Sequence, residues 1–156
     1  MISYPIAREY IDSACSNEGW VDAKAGWGFR YMHGDFGVNS GRVPGAQTAF
    51  RALLCAAINA LEYADASDSD EGKSIVIAAK NDQLRKEVHG ERALGNEDLW
   101  EQIDKLMTEV EATFSTMPAD PSRNQYYSAS RAARRIAGII SEEWDDELDC
   151  ESDGGF

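Results

Sequence analysis

REYIDSACSNEGWVDAKAGWGF, residues 8–29, joins a short apolar strand signal, a carboxylate and a glycine-rich return into a second strand. Tyr10 and Ile11 lead into Asp12, and residues 13–16 carry the run to Asn17, Glu18 and Gly19. An Asn/Gly pair at such a point closes a hairpin or a short loop. In residues 25–29, AGWGF, small residues then alternate with aromatics, the pattern of a strand whose backbone packs closely against a neighbouring element. Asp12 stands at the end of the first apolar run, where a carboxylate is costly unless it has a partner or a task. Two roles are open to it on local grounds: acceptor of turn hydrogen bonds, or member of a site.

Working outward, residues 34–41 read as a turn and a third short strand, so three strands joined by tight turns form an antiparallel meander. Thr48 is a predicted N-cap for a helix over 49–66, where Phe50, Leu53, Leu54, Ala57, Ile58 and Leu61 recur at helical spacing. Residues 65–72 are a polar loop, and 74–79, SIVIAA, have the uninterrupted apolar character of a strand buried inside a sheet. A short helix is expected over 83–88, a helix capped by Asn96 over 97–110, a strand over 112–117 and a turn over 118–122. The last helix is expected from about 123 through 144. The order βββαβα(α)βα predicts an α/β chain in which a five-stranded mixed sheet is flanked by helices, because the strand at 74–79 returns parallel to the meander. Residues 1–141 are expected to form one domain and 142–156 a disordered acidic tail.

A chain of 156 residues with 43% apolar content can bury about two-thirds of the surface its unfolded form exposes. Cys15, Cys55 and Cys150 are odd in number and far apart, without CxxC or Cys/His spacing, and read as reduced thiols. The N-terminal residues lack a charged and then apolar leader pattern, and no apolar run approaches membrane-spanning length. An intracellular protein, cytoplasmic or nuclear, without membrane attachment is the expectation. The formal charge of −13 is uneven: residues 141–156 hold eight acids and no Lys or Arg, leaving 20 acids against 15 basic residues, or −5, elsewhere. Such a body is a poor electrostatic match for nucleic acid, whose binding relies on neutralising phosphates with Lys and Arg.

Several of these segments together resemble the ribonuclease H family, in particular type 1 enzymes of fungal character. Asp12-Ser-Ala-Cys15, Asn17, Gly19 and the AGWG run at 25–28 are similar to that family's first-strand motif. QTAFRALL at 47–54 resembles its Gln-Thr-x-x-Arg-Ala-Glu-Leu helix start, and residues 75–84 match its fourth strand, which normally ends Thr-Asp-Ser. NEDLW at 96–100 and residues 129–135 are similar to its Asn-x-Asp-Leu-Trp and Ala-Asp-x-Leu-Ala-Arg segments. The likeness covers roughly residues 8–140 and implies the ribonuclease H-like fold.

The resemblance also implies a site in which four carboxylates hold two divalent cations, magnesium or manganese, to hydrolyse the RNA of an RNA/DNA hybrid. Carried over position by position, only the first acid is present, as Asp12. The second position is Leu53, the third Lys80, and the fourth Ser130, or Ser128 with the gap placed differently. The loop that carries a His in the family is residues 118–122, without one. No catalytic set is intact, no metal is expected, and an Asp12–Lys80 ion pair would neutralise the place the cations leave. Cys15, Asn17, Phe50 and Arg51, in the matching motifs, are the candidate binding residues. His33 and His89, in a turn and a loop, have no third partner at ligand spacing. Trp27 and Trp100 read as packing residues, Trp20 as a loop residue open to a partner. Arg131, Arg134 and Arg135 read as a solvated face or as partners of the acidic tail.

The expected function is that of a pseudoenzyme, a binding or assembly module acting through protein contacts or self-association, since Leu53 and Phe50 extend an apolar surface beside the former active groove. Nucleic-acid binding is expected to be weak or absent. An active hybrid nuclease with a rearranged centre and a non-cleaving hybrid binder are the alternatives.

Overall fold

The computed structural model describes residues 7–31, 37–66, 74–80, 82–116 and 123–139. Expectations for His33, Cys150, the loop at 118–122 and the tail at 142–156 lie outside the described residues.

Strand β1 (Ala7–Ser16) is the centre of a five-stranded sheet of order β3-β2-β1-β4-β5. It pairs antiparallel with β2 (Lys24–Tyr31), which pairs antiparallel with β3 (Gly37–Arg42). On its other edge β1 pairs parallel with β4 (Ser74–Ala79), and β4 parallel with β5 (Glu111–Thr116). This is the mixed sheet expected from the element order. Helix α1 (Ala49–Asp65) lies on one face of β1 and β2 and against α3 (Glu97–Leu106), while α4 (Arg123–Ile136) lies over β1, β2 and β3. The short α2 (Gln83–His89) follows β4 and makes its contacts with β5. His89 is therefore an exposed helix terminus rather than a loop residue.

The core forms where the strand alternation meets the helical stripe. Ile11, Phe29, Ile75 and Ile77 are fully buried against Leu54, Leu61 and Ile103. Burial of α1 extends nearly round the helix, and the alanines at 52, 56, 57, 60 and 64 let sheet and α3 approach it from different sides. Thr48 caps this helix as expected, its Oγ1 accepting the Arg51 N–H at 3.1 Å. Asn96 precedes α3 but makes no side-chain cap. Its Oδ1 lies 3.4 Å from an Arg51 nitrogen instead. That helix stops at Leu106 rather than 110, where the Thr108 hydroxyl donates to the Lys105 carbonyl at 2.7 Å and competes with further helical turns. The last helix also ends early, at Ile136 rather than 144. Gly138 takes a φ of +74°, and the Ile139 N–H closes back on the Arg134 carbonyl at 2.9 Å.

Helix α4 sits directly on the backbone of β2. A Cβ built on Gly28 would overlap the Ala129 carbonyl, and one on Gly26 would fall 2.6 Å from both the Ala133 oxygen and the Ile136 Cβ. Backbone of a packed helix cannot move aside like the tip of a side chain. Gly28→Ala is expected to cost about 3 kcal/mol, read as a fall of roughly 6–12 °C in the melting temperature of a chain this size. A shift within 1–2 °C would mean that α4 is not seated on this strand.

Glu9 is 1% exposed on the core face of β1, opposite Tyr31 and Ile77, and its Oε2 has no hydrogen-bond partner. Burial pushes its pKa up to about 9, so the folded protein holds a neutral acid at pH 7. The unfolded chain ionises near 4.5. Stability from this group is complete below that value and is lost as pH rises toward 9, with each pK unit worth about 1.4 kcal/mol. Glu9→Gln keeps the shape and removes the titration. The variant should lose less stability than wild type between pH 5 and pH 8, in denaturant melts at both pH values. Equal losses in the two chains would contradict the assignment.

Candidate functional site

The β1–β4 ladder ends at Ile11 and Ala79, and beyond it, at the C-terminal end of β4 and beside the middle of β1, lies a crevice of the kind where ligands settle in open α/β sheets. A cleft of about 550 Å³ occupies it, lined by Asp12 and Ser13 of β1, Glu18, Ala49, Phe50 and Leu53 at the start of α1, Lys80 after β4, and Gln83 opening α2. Asp12, Leu53 and Lys80, which the sequence resemblance aligns with three different positions of its motifs, come together in one cleft. Ser130 does not line it. That serine is 1% exposed on α4, whose neighbouring Ala129 is packed on Gly28.

Local hydrogen bonding fixes the cleft wall. The Glu18 carboxylate accepts the Ala49 N–H at 2.7 Å, tying the β1–β2 hairpin to the positive end of α1. Gln47 accepts the Ala25 N–H at 2.9 Å and donates to the Val43 and Gly45 carbonyls at 2.6 and 3.0 Å. Cys15 Sγ lies 3.3 Å from the Gln47 carbonyl, so this cysteine braces the wall. Its thiol pKa is raised, chiefly by burial and then by the negative Glu18, which makes it a poor nucleophile. Asn17 takes a left-handed φ of 55° and donates to Asp22 at 3.2 Å, shaping the hairpin tip. At that tip Trp20 is 74% exposed, whereas Trp27 and Trp100 are buried in packing roles.

Among the candidate binding residues, Phe50 lines the cleft and Arg51 does not. Arg51 is 6% exposed, and its guanidinium donates to the Pro44 carbonyl at 2.6 Å and to both oxygens of Asp98 at 2.9 and 2.7 Å. It fastens the first turn of α1 to the first turn of α3. The Arg51 hydrogen bonds hold the Asp98 carboxyl down at about 2. Glu18 is the cleft residue that motif matching passes over, because its place depends on a hairpin folding back onto a helix start 31 residues away.

The residues of the cleft do not fit a two-metal centre. Two carboxylates line it, Asp12 and Glu18, and the second already accepts a backbone N–H. Leu53 is apolar and 4% exposed, and Lys80 brings a positive charge. Asp82, the nearest acid in sequence, is bound by Arg85 at 2.6 and 2.9 Å and is outside the cleft lining. No cluster of three His, Cys, Asp or Glu residues able to hold a metal occurs among the described residues. Lys80 is exposed and Asp12 half-buried, so their charges are screened and an ion pair between them is worth about 1 kcal/mol or less.

No protein-family model matches the chain, and no curated protein matches it either. Solved structures do. The type 1 LC9-RNase H1, described as carrying the type 2 active-site motif, superposes with a TM-score of 0.62 at 16% identity, over 99% of this chain and 86% of that one. RNase H1 of the halophilic archaeon Halobacterium salinarum gives 0.59 at 22% identity, over 86% and 98%. LC11-RNase H1, solved with an RNA/DNA hybrid, gives 0.63 at 16%, over 86% and 99%. The foamy viral protease-reverse transcriptase gives 0.69 at 14%, with this chain spanning 21% of its length. The chain has the ribonuclease H-like fold.

Proposed function

We propose that this chain is a ribonuclease H-fold binding or assembly module that has given up two-metal hydrolysis and acts through protein contacts. The observation that carries the reading is the joint presence of Leu53 and Lys80 beside Asp12 in one cleft. Two cations a few ångströms apart need several carboxylates to compensate them. An aliphatic side chain supplies none, and an ammonium in the same cavity repels a cation.

The lining instead suits a contact made of apolar surface edged by single charges. Phe50 and Leu53 form its apolar part, and Asp12, Glu18 and Lys80 its charged edge. Trp20 and Val21, both strongly exposed, stand on the same hairpin as Glu18 and offer further apolar side chains to a partner. Interface cores favour aromatic residues and few charges. The composition supports a protein partner or a second copy over a nucleic-acid duplex, since the chain carries 28 acids against 15 basic residues.

The direct test is incubation with an RNA/DNA hybrid in magnesium and in manganese. No turnover is expected, and calorimetry should find magnesium binding at the cleft of millimolar strength or weaker. Divalent-dependent cleavage abolished by Asp12→Asn would replace this reading with that of an active nuclease. Tight hybrid binding without cleavage would favour a non-cleaving duplex binder.

A second measurement concerns Lys80. Because it is exposed, Lys80→Ala should change the unfolding free energy by less than about 1 kcal/mol, and the Asp12→Ala, Lys80→Ala double variant should match the sum of the single changes within about 1 kcal/mol. A single-variant loss of several kcal/mol, recovered in the double variant, would show that the pair is buried and coupled.

A further inference from the structure

Strands β2 and β3 and helix α4 together contain seven of the chain's 15 basic residues, Lys24, Arg30, Arg42, Arg123, Arg131, Arg134 and Arg135, and none of its 28 acids. In a chain of charge −13 this is a strong segregation, and the three elements pack on one another. Lys24, Gly26 and Gly28 alternate onto the face of β2 that α4 covers. Arg42 stands opposite Gly26 in the ladder and so emerges on that same face. The last turn of α4 is placed there as well, with Ile136 and the Ala133 carbonyl against Gly26. Lys24, Arg42, Arg134 and Arg135 are exposed and Arg131 is half-buried. Cations in the last turn of a helix favour its negative end, which accounts for Arg134 and Arg135. It does not account for Lys24 and Arg42, which arrive from two different strands.

We propose that this face is a docking surface for carboxylates and that its occupant is the chain's own acidic segment, residues 142–153. The charge is complementary: that segment holds eight acids and no Lys or Arg. Its position is favourable too, since it begins three residues after Ile139, which α4 delivers beside the basic face. An extended chain covers about 3.3–3.6 Å per residue, so the first acids lie within about 10 Å of Ile139 and the last within about 50 Å. Tethering on so short a linker gives an effective concentration of the order of millimolar, well above that of an untethered copy at micromolar concentration. Each exposed pair contributes only about 0.2–1 kcal/mol, so the docked state is a network that salt disperses. While docked, the segment shields this basic face from other polyanions. This inference is independent of what the cleft binds.

The test uses the full-length chain beside a full-length variant in which every Glu and Asp of 142–153 is changed to Gln or Asn. In ¹⁵N-edited spectra, the backbone and side-chain N–H signals of Lys24, Arg42, Arg134 and Arg135 should differ between the two chains at low salt. They should converge at about 0.5 M salt, where screening is near-complete over a few ångströms, while signals from α1 and α3 stay unmoved. Inorganic polyphosphate, used as the probe, should bind the neutralised chain at least ten-fold more tightly than wild type. Adding Arg134→Glu and Arg135→Glu to the neutralised chain should remove that gain. Spectral differences spread evenly over the protein, or absent, would overturn the proposal. So would equal polyphosphate affinity in the two chains, or a wild-type effect that grows with protein concentration, which would assign the contact to a second copy.

Discussion

The hydrogen-bond ladder between β1 and β4 is the interaction from which the rest of the molecule follows. β1 is antiparallel to β2 on one edge and parallel to β4 on the other. Parallel pairing requires the chain to travel the length of the sheet between the two strands, and α1 makes that passage with its apolar side chains against Ile11, Phe29 and Ile77. The end of that ladder at Ile11 and Ala79 also leaves the crevice beside Asp12. Core and cleft are therefore two consequences of one backbone arrangement.

Holding α1 at the mouth of that crevice takes polar work at both ends of its first turn. Thr48 and Glu18 accept N–H groups that a helix start leaves without partners, and Gln47 joins the preceding loop to β2. Arg51 is buried by the same arrangement and satisfied by Asp98 and the Pro44 carbonyl. These groups maintain the shape of the cleft wall. A fold shared with RNase H1 structures at 16–22% identity is compatible with quite different tasks.

On the opposite face, close backbone contact governs. With no Cβ at Gly26 and Gly28, α4 rests on β2 itself and brings Ala129 and Ala133 into full burial. The same seating carries its terminal arginines to the side of Lys24 and Arg42. Charge on this protein is consequently arranged in territories, with acids along α3 and beyond α4 and basic residues concentrated over β2, β3 and α4. Net charge alone gives no sign of that arrangement.

Local physics made much of the architecture legible in the chain itself. The apolar run within 74–79 marked a strand inside the sheet, Thr48 marked a helix start, and alternation of glycine with aromatics at 25–29 marked β2, all found as read. Helix ends were less legible: Gly138, which stops α4, was read through because the residues around it continue a helical pattern. The cleft's membership at Asp12, Leu53, Lys80 and Phe50 was readable from motif order, but Glu18 was not, and Arg51 proved to be a fastener between helices. Neither the neutral Glu9 nor the basic face was visible in sequence. Glu9 sits in a strand whose register buries it, and the basic residues are scattered over more than 100 positions until the sheet ladder and the glycine contacts bring them together. Sequence determines which segments take which local form, through interactions within a few residues. Only the tertiary structure decides burial and assembles charges from distant segments, because both depend on contacts between parts of the chain that composition does not place side by side.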